Sequence, residues 1–145
     1  MSHDARAIEK LIYAYAERID AGDFEGVAEL FNHGRIQAAP GMVFEGAAAV
    51  LGLYQSTTRL HGDGTPRTRH LTTNVVVEVD DQGLIATARS YFTVLQQTDH
   101  LPLQPIVSGH YCDSFRNAQQ QWHFDTREIH VDLAGDLSDH LLFDY

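Results

Sequence analysis

The chain has 145 residues, a length typical of one domain, and 43% of them are hydrophobic, as in folded globular proteins. Its 20 Asp and Glu residues outnumber its 10 Lys and Arg residues, so the formal charge is −10. Such a surface repels phosphate backbones and anionic lipids, which excludes nucleic acid and membrane surfaces as expected partners.

The N-terminal segment and the cysteine content indicate a compartment. The segment MSHDARAIEKL has no basic start followed by an apolar core, so it does not resemble a signal peptide. No apolar run approaches the roughly 18 residues that cross a bilayer. Cys112 is the only cysteine, which rules out an internal disulfide and fits a reducing environment. We therefore expect a cytoplasmic protein with a single domain over residues 1–145.

The first part of the chain predicts helices. Apolar residues recur at helical spacing over residues 4–21, and Gly22 suits the end of that helix. Asp23 is a good N-cap for a second, short helix. Residues 35–45 predict two short strands around a turn, and residues 47–58 predict a third helix.

The second part of the chain predicts strands. Residues 68–79 are rich in β-branched side chains, and further strands are expected over residues 84–97, 106–116 and 121–132. Helices followed by antiparallel strands favour an α+β fold, with the helices packed on one face of a curved sheet. A bent sheet closed by a helix leaves a concave cavity, which is where small ligands bind.

The chain lacks the common nucleophile and phosphate-binding motifs, and its nine histidines form no H-E-x-x-H motif. His130 and Asp132 share a strand face and could contribute to an iron site of two histidines and one carboxylate. Only His140 follows them, in an irregular tail, and its polar neighbours predict a solvated side chain. We therefore expect no metal and no organic cofactor, and Cys112 is interpreted as a plain strand thiol.

Asp20 and His70 are candidates for proton transfer. With 100° per residue, Asp20 lies about 120° from Ile8, at the edge of the apolar stripe and close to Tyr13. An acid there either reaches into the space beneath the helix, or caps the following turn and faces water.

His70 opens the β-branched strand, and strict alternation places it on one face with Thr72 and Asn74. Such a polar patch suits a pocket wall, although a histidine at the rim of the sheet is the alternative interpretation. The opposite strand face is expected to carry apolar side chains, namely Leu71, Val75, Val77 and Val79.

Three segments resemble the SnoaL-like proteins of the nuclear-transport-factor-two-like superfamily. They are Y-A-Y-A-E-R-I-D-A-G-D-F-E-G-V-A-E-L-F at 13–31, R-H-L-T-T-N at 69–74 and W-H-F-D-T-R-E-I at 122–129. The resemblance implies a cone-shaped, curved sheet wrapped around N-terminal helices, also called a cystatin-like α+β barrel. The superfamily includes many activities as well as proteins without catalysis.

The pattern is most similar to that of scytalone dehydratase, bile-acid 7α-dehydratase and hexachlorocyclohexane dehydrochlorinase. These lyases use an aspartate at the end of the first helix and a histidine on the third strand, which match Asp20 and His70. The resemblance also implies a catalytic role for Tyr15 and a substrate-binding role for Arg127. Tyr13, which the helical wheel places close to Asp20, is a further candidate to bind the substrate.

The chain departs from these lyases in two ways. Residues 93–96 carry neither the histidine nor the aspartate found on the fourth strand of the dehydratases, and His110 is a candidate replacement. Strict alternation also places Arg127 opposite Trp122 and Phe124, unless a β-bulge near Asp125 brings them to one face.

These observations predict a lyase of the dehydratase type, which acts without a cofactor on a small apolar, aromatic or polycyclic substrate. A ketosteroid-isomerase-like or polyketide-cyclase activity is an alternative, and so is a non-catalytic binding or assembly module. The superfamily often pairs through the outer face of its sheet, so a homodimer or a higher homo-oligomer is expected.

Overall fold

The N-terminal helices form as the periodicity predicts, in a computed structural model that describes residues 3–145. Helix α1 (His3–Asp20) buries one apolar stripe, which consists of Ile8, Ile12, Tyr15, Ala16 and Ile19. Helix α2 (Phe24–Glu29) begins after Asp23, whose Oδ1 accepts a hydrogen bond of 2.9 Å from the Gly26 amide. None of the helices within these residues is long and apolar enough to cross a membrane.

The remaining elements follow the expected order with small shifts at their ends. A short hairpin of β1 (Arg35–Ala39) and β2 (Met42–Glu45) leads into helix α3 (Gly46–Thr57). Four long strands follow, β3 (Thr68–Val79), β4 (Ile85–Gln96), β5 (Gln104–Ala118) and β6 (Gln121–Ala134).

The six strands form one curved sheet in the order β2-β1-β6-β5-β4-β3. Only the β1–β6 pair is parallel, with Arg35 opposite Thr126, and all other neighbouring pairs are antiparallel. Apolar side chains of the helices pack against the inner face of this sheet in one core. The predicted α+β class with helices on a curved sheet is confirmed.

A β-bulge in β3 changes which side chains share a face with His70. The pairing with β4 shifts by one residue between Thr73 and Val76, and Asn74 adopts a φ of 55° within the shift. Beyond this bulge the alternation is reversed, so Val77 packs against the core on the same side as His70. The prediction of one uniform apolar face was wrong, since Leu71 is exposed.

Another bulge lies in β6, next to the position where strict alternation would separate Arg127 from Phe124. Ser114 pairs with Thr126 but Phe115 pairs with Phe124, so Asp125 is the extra residue. The bulge brings Arg127 to the same inner face as Phe124, and both side chains are buried. Of the two arrangements that the sequence left open, strict alternation or a bulge near Asp125, the structure has the bulge.

Candidate active site

Asp20 and His70 are in direct contact between the end of α1 and the start of β3. Nδ1 of His70 lies 2.6 Å from Oδ1 of Asp20, and both side chains are largely buried. The carboxylate is the acceptor here, so Nδ1 carries the proton in neutral imidazole and Nε2 keeps a free lone pair. This is the tautomer that a general base requires.

Two further hydrogen bonds orient the Asp20 carboxylate. The His70 amide donates to Oδ2 at 2.7 Å, and the Thr68 hydroxyl donates to Oδ1 at 2.9 Å. Thr68 and the backbone of His70, at the start of β3, therefore fix the Asp20 carboxylate, which in turn fixes the His70 ring. A small rotation of the Asp20 side chain would break several of these hydrogen bonds at once. Such support keeps a proton-transfer group in a fixed position.

A cavity of about 400 Å³ lies between the helices and the inner face of the sheet, and His70 is part of its wall. Most of the other lining groups are apolar, among them Ile19, Leu53, Phe92, Val94, Val107 and Ile129. A largely apolar cavity with a few polar groups is typical of a site for a small molecule.

Three tyrosines add phenol groups to this wall. Tyr15, Tyr54 and Tyr111 all line the cavity, and the hydroxyls of Tyr15 and Tyr54 are hydrogen-bonded to each other. Burial raises the pKa of Tyr15, although the positive charge of Arg127 lowers it in part. Burial also raises the pKa of Tyr54 and of Tyr111 well above the usual range. All three phenols therefore stay protonated at neutral pH and can donate hydrogen bonds.

Arg127 lies behind the tyrosines rather than on the cavity wall. Its guanidinium lies 3.6 Å from the ring centre of Tyr111 and 4.3 Å from that of Tyr15. Its Nε and Nη2 atoms each donate to Asp113 at 2.9 Å, in a fully buried ion pair. Burial disfavours the positive charge of Arg127 and lowers its pKa. The negative charge and the hydrogen bonds of Asp113 have the larger effect, so the pKa of Arg127 is raised. The expected direct contact of Arg127 with a substrate therefore needs correction, because the tyrosines lie between.

His140 is a cavity residue that the sequence did not identify. It lines the cavity, and its Nδ1 atom is buried without a hydrogen-bond partner. Burial, and next the proximity of His70, lower the pKa of His140 to about 4, so the ring is neutral at pH 7. The prediction that this histidine is solvated was wrong. Its irregular segment has no periodicity that would have indicated burial.

The C-terminal segment forms part of the cavity wall. Leu141 makes an isolated β-bridge with Thr58, and the Leu142 amide donates to the Thr57 carbonyl at 3.0 Å. These bonds fix the tail next to the end of α3. The tail side chains that line the cavity are Leu137, His140, Leu141, Phe143 and Tyr145.

Two expected substrate-binding residues lie away from the cavity. Tyr13 is 43% exposed, because it lies on the solvent side of α1. His110 is on the outer face of the sheet, since its neighbours Gly109 and Tyr111 face inward, and it bonds to Asp132. His110 therefore does not replace the polar residue of the dehydratases. The cavity wall at β4 is instead apolar, formed by Phe92 and Val94.

Several solved protein structures share this fold. A protein of unknown function from Mycobacterium tuberculosis is 28% identical with a TM-score of 0.73, covering 89% of this chain and 76% of that one. A candidate scytalone dehydratase from Novosphingobium aromaticivorans is 22% identical with a TM-score of 0.70, covering 93% of each chain. The ActVI-ORFA protein of Streptomyces coelicolor is 16% identical with a TM-score of 0.72, covering 90% of this chain and 98% of that one.

No protein of curated function matches the chain significantly. The family described as the SnoaL-like domain, by contrast, matches residues 1–128, which is most of the chain. The fold, with its helices on a curved mixed sheet, agrees with that match. The chain therefore belongs to the SnoaL-like family of the nuclear-transport-factor-two-like superfamily.

Proposed function

We propose that this protein is a lyase of the dehydratase type, in which His70 removes a proton from a small apolar ring substrate. The observation that carries the proposal is the contact of 2.6 Å between Asp20 and His70, together with the position of His70 on the wall of an apolar cavity. Histidine is the side chain best suited to take up and release a proton near neutral pH. Asp20 fixes the tautomer of the ring and stabilises the imidazolium that forms.

The proposed reaction is the loss of water from a ring that carries a ketone and a hydroxyl on the second carbon from it. Nε2 of His70 takes the proton from the carbon next to the carbonyl, and the C–H electron pair forms an enolate. The enolate expels the hydroxyl and leaves a carbon–carbon double bond. The imidazolium of His70 returns its proton to the departing hydroxyl, so water leaves and the base is restored.

The tyrosines and His140 supply the polar contacts of this reaction. A protonated phenol from Tyr15 or Tyr54 donates a hydrogen bond to the ketone oxygen, where negative charge develops. The buried positive charge of Arg127 beneath the rings favours that charge as well. His140, which is neutral at pH 7, orients the hydroxyl through its unpartnered Nδ1 atom.

Two variants test the proposal against a matched control. His70→Asn removes the base and Asp20→Asn weakens its orientation. Each should lower turnover of cyclic hydroxy-ketones or halogenated rings by about 10²–10⁴-fold, the usual contribution of a positioned general base. The control is His110→Asn, because His110 forms the same kind of pair with Asp132 at 2.7 Å but lies on the outer face. This control should keep full activity.

The same three variants, assayed together with the wild-type protein, distinguish catalysis from ligand binding alone. Full activity in the His70 or Asp20 variant would contradict the role of the pair. Ligands that bind to the wild-type protein without any turnover would instead favour the non-catalytic binding module. The apolar wall at β4 is the feature of the cavity that agrees with that second function.

A further inference from the structure

We propose that the outer face of the sheet carries a binding site for a zinc-like transition-metal ion, formed by His110, Cys112 and His130. The lyase reaction proposed above requires no metal, and these three residues do not line its cavity. Among residues 3–145, they are the group whose potential ligand atoms approach closely enough to hold an ion, all within 4.8 Å of one another.

The register of β5 and β6 brings the three side chains together. His110 is directly opposite His130 in the antiparallel pair, and their rings are stacked with centroids 4.6 Å apart and planes inclined by 9°. Cys112 is two residues further along β5, so it projects from the same outer face. Its side chain is exposed, and an ion from solvent can therefore reach it.

Each of the two histidines is bonded to a carboxylate through one ring nitrogen. Asp132 bonds to Nδ1 of His110 at 2.7 Å, which leaves Nε2 of that ring available to an ion. Glu128 bonds to Nε2 of His130 at 3.1 Å, which leaves Nδ1 of the His130 ring available to an ion. Histidine ligands in metal sites typically make such a bond through the second nitrogen, and it fixes the ring and raises its basicity.

The donor set identifies the kind of ion. Two imidazoles and one thiolate suit Zn²⁺, and the fourth tetrahedral position would be open to water. Bond lengths of about 2.0–2.3 Å separate the ligand atoms of such a site by roughly 3.3–3.7 Å. The present separations, within 4.8 Å, reach that range through side-chain rotations. The neighbouring carboxylates of Glu128 and Asp132 compensate the charge of the ion.

Titration of the purified wild-type protein with Co²⁺, and with Zn²⁺ by calorimetry, tests the site. We expect one ion per chain and a thiolate-to-cobalt charge-transfer band, which reports coordination by Cys112 because it is the only cysteine. Cys112→Ser should abolish the band, and His130→Gln should weaken Zn²⁺ binding at least tenfold. A saturating excess of Zn²⁺, about 100 times its dissociation constant, should raise the Tm by about 9 °C.

Two control variants exclude other histidines. His123→Gln removes another β6 histidine, and His70→Asn removes the histidine of the proposed lyase site, so both should bind Zn²⁺ as the wild-type protein does. The proposal is overturned if no ion binds, if Cys112→Ser keeps the charge-transfer band, or if His70→Asn loses binding while His130→Gln keeps it. All of these readouts are independent of lyase activity.

Discussion

At the scale of single residues, the Asp20 carboxylate determines what His70 can do. It accepts bonds from the His70 ring, the His70 amide and the Thr68 hydroxyl, so the ring has one orientation and one favoured tautomer. Asp20 and His70 could be selected as candidate site residues because both lie in segments that resemble the SnoaL-like proteins. Tyr54, Tyr111 and His140 could not, because nothing local distinguishes a cavity residue from any other buried residue.

His140 gives the protein a pH-dependent stability that can be measured. Its pKa of about 4 in the folded protein lies below the roughly 6.5 of an unfolded histidine, so between these values only the unfolded chain gains the proton. The free energy of unfolding should therefore fall by up to about 3 kcal/mol as the pH is lowered from about 6.5 to about 4. Urea unfolding at several pH values measures this loss.

The His140→Gln variant isolates that contribution from those of the acidic residues. It cannot take up the proton, so its free energy of unfolding should decline less steeply over the same pH range than that of the wild-type protein. Parallel curves for the two proteins would show that His140 is not buried in its neutral form.

At the scale of secondary-structure elements, two of the β-bulges in the sheet help to determine which side chains face inward. The bulge at Asn74 lets His70 and the apolar end of β3 share the inner face, and the bulge at Asp125 turns Arg127 inward. Strict alternation predicts the opposite in both strands. The bulge at Asp125 could be named only as one of two alternatives, because strict alternation places Arg127 opposite Trp122 and Phe124. No such conflict in the sequence pointed to the bulge at Asn74.

The Arg127–Asp113 pair connects β6 to β5 beneath the tyrosines, and its stability effect can be predicted. Arg127→Met leaves the Asp113 carboxylate buried without a partner, so the free energy of unfolding should fall by about 3–5 kcal/mol. Urea denaturation followed by circular dichroism measures this change. The double variant Arg127→Met with Asp113→Leu should regain most of the loss, because no charge then stays buried. A small effect of the single variant would contradict the buried pair.

At the scale of the whole molecule, the order of elements was predictable and the closure of the cavity was not. Helical periodicity, β-branched segments and the family resemblance were sufficient for helices on a curved sheet. The tail over residues 135–145 has no regular pattern, yet it completes the cavity wall through hydrogen bonds to the end of α3. Such contacts depend on the assembled fold, so local sequence does not indicate them.

The outer face of the sheet supports the expectation of a homodimer. Toward the β3 edge of that face, away from His110 and His130, large apolar side chains are exposed, including Leu71, Val76 and Ile85, and burying them between two copies would be favourable. Sedimentation at micromolar concentration, with a chelator present to exclude bridging ions, should show a dimer. Sedimentation as a monomer alone would count against pairing through this face.

The exchange of a substrate proton with solvent tests the role of His70 most directly, because it needs no leaving group. A bicyclic ketone such as α-tetralone in D₂O should lose its proton next to the carbonyl faster with wild-type protein than with buffer, as followed by proton NMR. With His70→Asn this enhancement should fall by at least about 10²-fold, while His110→Asn should leave it unchanged. Equal exchange rates with the wild-type protein and His70→Asn would contradict the assignment of His70 as the base.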